Sequence, residues 1–274
     1  MSDDEPDVNI SGGSAGGGTA AEFAAGEADT RAEAVVDRLG ELYWQKTYGG
    51  QDAFECLVRT VLSQNTSDVA SQPAHDALLD EYTDRDGADG LADALAHADH
   101  GELADTIRSA GLYNQKATVL VDAAERVLAA YGSADAFDEH VREQDPATVR
   151  DELLDLDGVG PKTADCVLLF SGGRGGVFPV DTHVHRIYRR LGIAPPDADH
   201  ETVRAVLERD VPAEKCGFGH TASIQFGREY CSARKPACLD GPEACPLYDV
   251  CDRVGVDPGP GTVTDPADAT SDGR

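Results

Sequence analysis

Positive charge is what this chain has least of. Its 274 residues carry 23 Lys+Arg against 51 Asp+Glu, for a formal net charge of −28. Only five lysines occur: Lys46, Lys116, Lys162, Lys215 and Lys235. Such an imbalance excludes ordinary non-specific nucleic-acid affinity, in which many cations neutralise phosphates. Long apolar runs are also missing. No stretch is long enough to cross a membrane, and MSDDEPDVNI lacks the basic and apolar regions of a signal peptide, so a soluble, cytoplasmic protein is expected. The seven cysteines are odd in number, and none are two to four residues apart as in zinc fingers and ribbons. Both facts disfavour a disulfide framework or an ordinary zinc site.

What is present in excess is Asp, Glu, Ala and Gly, with arginine supplying most of the cations. That composition suits concentrated salt. At about 1 M the Debye length is ~3 Å, so diffuse repulsion fades and only contacts close to a phosphate count. The pattern predicts a halophilic protein; a basic protein partner is the competing explanation of the charge.

The most informative stretch is 153–185, LLDLDGVGPKTADCVLLFSGGRGGVFPVDTHVH. An apolar segment ending at Leu156 meets Asp157-Gly158-Val159-Gly160-Pro161, and a second apolar segment leaves it. This pattern predicts a helix, a glycine hairpin and a helix. The glycines suit positive φ or close approach of a ligand, and Pro161 suits the first helical position. Unpaired N–H groups at the start of the second helix form an anion site, for which a phosphodiester is one candidate. Lys162 stands in the first helical turn, where a cation is misplaced. A nucleophilic amine near neutral pH needs that kind of destabilisation. The plainer role is a solvated lysine. Asp181, after a Gly-rich connector, suits the cap of the helix that follows, or a carboxylate partner to the amine.

Other segments carry weaker signals. In LSQNTSD, Gln64 and Asn65 follow a helix over 52–62 and suit either capping or an amide offered to the orphaned edge of a base pair. Leu112, in the polar turn of GLYNQKA, suits a hydrophobic staple or a wedge in a base stack. Arg186, Arg189 and Arg190 share a helix with Val184, Ile187, Tyr188 and Leu191, and their face suits backbone phosphates. Cys231, Cys238, Cys245 and Cys251 follow C-x6-C-x6-C-x5-C, a spacing that fits an iron–sulfur site spread over a loop better than zinc. Arg234 and Lys235 lie inside that loop.

LDGVGPKTA followed by VDTHVHR resembles the helix-hairpin-helix and catalytic-aspartate motifs of the endonuclease III family of DNA glycosylases. LSQNTSD and GLYNQKA are similar to that family's two wedge loops. The resemblance runs from about residue 31 to 252. It implies an all-α, two-domain helix-hairpin-helix glycosylase architecture with a C-terminal iron–sulfur cluster loop. A six-helix domain would occupy 51–175, and a cluster domain 31–50 plus 176–252. Acidic tails at 1–30 and 253–274 are expected to be disordered.

The resemblance further implies a base excision repair enzyme that removes oxidised pyrimidines through a Schiff base on Lys162, assisted by Asp181, and cuts the strand by β-elimination. It implies DNA contacts by Gln64, Asn65, Leu112, Gly158, Gly160, Thr163, His183, Arg186, Arg234 and Lys235, and a [4Fe–4S] cluster on Cys231, Cys238, Cys245 and Cys251. The partner would be double-stranded DNA with damaged bases or abasic sites, bound by a monomer associated with the nucleoid. Two departures stand out. Asp157 replaces the proline common in the family's hairpin, and four extra residues separate Cys238 from Cys245. The alternatives are a mismatch adenine glycosylase, which usually lacks this lysine, or a non-catalytic DNA-binding or iron–sulfur redox protein.

Overall fold

The computed structural model describes residues 8, 9, 23, 24, 26–44, 51–66, 68–83 and 90–269. Most of the predicted acidic tail before residue 23 and the end of the chain after 269 lie outside the described residues. The chain divides into two compact units, one of Met1–Thr47 with Gly175–Arg274 and the other of Tyr48–Arg174. Both are helical. Two pairs of two-residue strands are the only β-structure among the described residues: β1 (Val8–Asn9) with β2 (Tyr43–Trp44), and β3 (Val256–Asp257) with β4 (Thr262–Val263).

The discontinuous unit begins with α1 (Arg31–Gly40), whose Thr30 cap accepts from the Glu33 amide. The continuous unit then holds α2 (Ala53–Ser63), α3 (Asp68–Tyr82), α4 (Leu91–Ala96), α5 (His100–Thr106), α6 (Tyr113–Tyr131), α7 (Ala134–Glu143), α8 (Pro146–Leu154) and α9 (Pro161–Phe170). Among the described residues eight helices thus stand where six were expected. The two unforeseen ones have local causes. Asp99 caps α5 by accepting from the amides of Gly101 and Glu102 and so splits it from α4. Helix α7 buries only Phe137, Asp138 and Val141, an apolar pattern too thin to announce a helix. Helix α3 also starts ahead of its internal Pro73.

Helix α9 is central to this unit: every residue from Thr163 to Leu169 is buried. It lies against α2, where Phe54, Leu57, Val58, Val61 and Leu62 are buried at helical spacing. Each such apolar side chain contributes roughly 1.5–3 kcal/mol when removed from water. The long α6 turns Ala117, Leu120, Ala124 and Val127 inward and ends at Gly132, whose φ of +85° forms a left-handed cap.

The chain returns to the first unit with α10 (Thr182–Arg190), α11 (His200–Asp210), α12 (Cys216–Glu229) and the short α13 (Pro266–Ala269). Of these, α10, α11 and α12 pack with α1 around a core that includes Val36, Leu39, Phe178, Tyr188, Leu207 and Phe226. Lys215 reaches both Glu33 and Asp37 of α1 at 2.7 Å. Parts of both stretches expected to be disordered make described contacts in this unit. Phe23 packs on Phe218 with ring centroids 4.3 Å apart and the rings tilted by 40°. Residues 254–269 form the β3–β4 pair and α13, held by Arg189 to Asp265 and by the Val254 amide to the Arg190 carbonyl.

Candidate nucleic-acid interface

In the continuous unit, residues 155–160 join α8 to α9 as a helix-hairpin-helix. Gly158 turns the chain at φ +79°, and a Cβ there would meet Val119 of α6 at 2.5 Å. Only glycine satisfies both demands. Gly160 is glycine for a different reason. Its φ is −99°, and nothing lies within 4 Å of the position a Cβ would take, so the backbone faces open space. Among the described residues no acceptor takes the N–H of Gly158 or Gly160. Pro161 opens α9 with no N–H of its own, and Lys162 follows, half-buried. Its charge acts on the buried Cys56 thiol of α2, which burial itself pushes up to about 12. This is an anion-accepting helix start with an amine beside it.

Two further loops are tied to that hairpin. The Gln64 side chain donates to the Gly158 carbonyl at 3.1 Å and to the Thr163 hydroxyl at 3.0 Å. Its amide N–H groups therefore brace the hairpin, and the buried Thr163 hydroxyl faces Gln64. Asn65 is the residue turned outward, exposed and at φ +52°. Leu112 also has a left-handed backbone, φ +48°, and is 57% exposed. Left-handed backbone suits asparagine but costs a leucine ~1–2 kcal/mol. Strain and an exposed apolar side chain thus coincide at one turn.

The discontinuous unit holds the other predicted residues. Asp181 is the N-cap of α10, its Oδ1 accepting from the amides of His183 at 2.8 Å and Val184 at 2.9 Å. Its Oδ2 has no partner among the described residues. His183 is half-buried, and desolvation moves its imidazole below the usual range. Arg186 donates to the Cys231 carbonyl at 2.8 and 3.1 Å, to the Thr182 carbonyl at 3.2 Å and to His183 Nδ1 at 3.1 Å. The guanidinium expected at a phosphate is thus engaged inside the fold as a tether of the cysteine loop. Arg189 and Arg190, on the same helix, are buried as well and also bond inward.

The cysteine loop is a series of 3-10 turns, at Ala237–Asp240, Pro242–Ala244 and Tyr248–Val250, with Gly241 at φ +113° marking the insertion. Cys231, Cys238, Cys245 and Cys251 all line one apolar cavity. Burial pushes the Cys245 thiol up to about 11 and Cys251 to about 12. Arg190 donates to Cys231 Sγ at 3.5 Å and to the Ser232 and Ala233 carbonyls at 2.8 and 2.7 Å, while its buried Nε has no partner among the described residues. Among the described residues no three potential ligands gather about a single ion. Four thiols around a cavity, with a buried cation and an unsatisfied N–H beside them, fit a polynuclear anionic cluster. The loop leaves Arg234 and Lys235 exposed.

Sequence reasoning missed one participant. Lys116 is 4% exposed and donates to the Leu62 carbonyl at 2.7 Å, the Thr66 hydroxyl at 3.0 Å and the Ala110 carbonyl at 2.9 Å. A signal existed: like Lys162, it is a cation near the start of a helix, where it is electrostatically misplaced.

Comparison with known proteins gives a consistent result. Residues 58–213 match the model of the HhH-GPD superfamily base excision DNA repair proteins. The chain is 34% identical over 201 residues to endonuclease III of Thermotoga maritima, covering 73% of this chain and 83% of that protein. It is 31% identical over 221 residues to endonuclease III of Bacillus subtilis, covering 80% and 90%. The solved structure of a non-covalent endonuclease III–DNA complex superposes with a TM-score of 0.61 at 30% identity, over 74% of this chain and 85% of that one.

Proposed function

The chain belongs to the endonuclease III family of base excision repair enzymes, the DNA glycosylase/AP lyases, and from that premise we propose a bifunctional reaction on oxidised pyrimidines in double-stranded DNA. The target nucleotide is flipped out of the stack. Lys162 Nζ, as the neutral amine, attacks the sugar C1′ as the bond from C1′ to the base breaks, and the base leaves with the electron pair. Asp181 stabilises the positive charge that develops on the sugar and helps relay protons. Loss of the amine protons and ring opening give a Schiff base between Lys162 and C1′. Removal of a C2′ proton then expels the 3′ phosphate by β-elimination, and water releases the lysine.

The open N–H groups of Gly158 and Gly160 receive a backbone phosphate, and Gln64 and Thr163 hold that hairpin in shape. Asn65 meets the orphaned base, and Leu112 fills the stack. His183, Arg234 and Lys235 add contacts to the strand, with Arg186 acting through the loop it tethers. Cys231, Cys238, Cys245 and Cys251 would hold a [4Fe–4S] cluster, whose contribution is to fix the loop bearing Arg234 and Lys235. The surplus acid fits work in concentrated salt, where such short-range contacts are the ones that persist.

The observation that carries this reading is half-buried Lys162 beside backbone N–H groups that no described acceptor takes, at the head of α9. Borohydride reduction in the presence of damaged duplex should trap a covalent protein–DNA adduct, and Lys162→Gln should trap none. An adduct of undiminished yield in that variant would remove Lys162 from its role.

A further inference from the structure

Lys116 brings together two loops that are distant in sequence. Its three N–H donors meet three oxygens: the Leu62 carbonyl at the end of α2, the Thr66 hydroxyl beyond it, and the Ala110 carbonyl before α6. An ammonium has three donors and no acceptor, so this set satisfies it completely. The Thr66 hydroxyl, while accepting from Lys116, directs its own proton at the Ala110 carbonyl. It also lies 3.8 Å from the position a Cβ on Gly111 would take. Among the described residues no carboxylate pairs with Lys116. The ammonium is instead buried among neutral oxygens, and desolvation lowers its pKa. Burying a cation on such partners is costly, and a chain with five lysines has little reason to place one there for solubility.

What the three oxygens have in common is position. Asn65 lies between Leu62 and Thr66, and Leu112 lies two residues past Ala110. Both are left-handed, non-glycine residues turned outward. A leucine in that conformation relaxes unless its neighbours over-determine it.

Building on the DNA-repair reading above, we propose that Lys116 is a positioning residue that locks the 62–66 and 110–112 loops into one rigid device, so that Asn65 and Leu112 enter the duplex together. It touches no reacting atom. Its effect is exerted through the two side chains it aims, so removing the clamp and removing a wedge should damage the same step.

The test is a double-mutant cycle on cleavage of duplex DNA carrying an oxidised pyrimidine, measured well below the unfolding temperature of each protein. Lys116→Met and Leu112→Ala should each lower kcat/KM about tenfold, and the double variant should fall little further than either alone. Losses that multiply, or a Lys116→Met enzyme as active as the parent, would overturn the proposal. A spectroscopic readout separates aim from mere folding. In a Lys162→Gln background, 2-aminopurine beside the lesion should brighten on binding, and adding Lys116→Met should suppress that brightening at saturating protein; undiminished brightening counts against the clamp. Should Lys116→Met fail to fold, Thr66→Val removes the shared hydroxyl and should show the same non-additivity with Leu112→Ala. If the parent protein neither cleaves nor unstacks the reporter, the DNA-repair reading fails and the clamp with it. If it does both and the substitutions change nothing, only the clamp fails.

Discussion

The loops around Lys116 and the loop of four cysteines are both irregular, and they are held by opposite means. The first is a closed set of hydrogen bonds among side chains and carbonyls: Lys116 to 62, 66 and 110, and Gln64 to the hairpin. Each donor there has its acceptor, and nothing from outside is required. The second has arginines gripping its backbone, four thiols around a cavity of which only that of Cys238 is fully buried, and an Arg190 Nε with no partner among the described residues. On the proposed reading, a cluster held by those thiols completes its cohesion. Two loops with little regular structure can therefore differ completely in what removes them.

The largest effect should come from taking that group away. Chelation of iron, or Cys238→Ser, should cost on the order of 5 kcal/mol, because metal binding to such a loop is folding free energy. Hydrogen exchange should show residues 231–251 losing protection while 110–120 keep theirs; equal loss in both would break the contrast. Next comes Gly158→Ala, which forces a Cβ into Val119 at a positive φ and should cost about 3 kcal/mol by thermal or urea unfolding. Arg190→Met should follow at about 2 kcal/mol, through the two loop carbonyls it leaves without a charged donor.

Smaller effects sharpen the other side. Leu112→Asn should raise stability by about 1 kcal/mol, since asparagine tolerates the left-handed backbone, while cleavage of duplex DNA falls. A variant that gains nothing in stability would show that the leucine is not strained. The smallest is a pH effect. His75 is buried on α3 with both ring nitrogens lacking a hydrogen-bond partner, and burial moves its pKa below 6.5, followed by the charge of Arg59. The unfolded chain then takes up the proton first. Its contribution is fully present above pH 6.5 and is lost as pH falls below that. His75→Leu should flatten the fall in stability between about pH 7 and pH 5, measured as unfolding midpoints across that window.

Much of the site could be read in the sequence because local rules write it. Gly158, Pro161 and the Asp181 cap are dictated by backbone conformation at single positions, and the buried face of α2 by helical spacing. What could not be read depends on partners far along the chain. Lys116 looks solvated until Leu62, more than fifty residues earlier, folds against it. Arg186 looks free for phosphate until Cys231 arrives. The tail after residue 253 looks featureless because its anchor, Asp265, finds Arg189 across 76 positions. Helix α7 escaped notice for a different reason, since only Phe137 and Val141 give it an apolar stripe.

The placement of the lysines has a practical side. Of the four in the described segments, Lys116 and Lys215 are buried, Lys162 is half-buried, and only Lys235 is exposed. To an amine-selective reagent this part of the surface is almost blank. Among the described lysines, a dye or crosslinker applied gently to the folded protein would find its readiest handle at Lys235, on the cysteine loop.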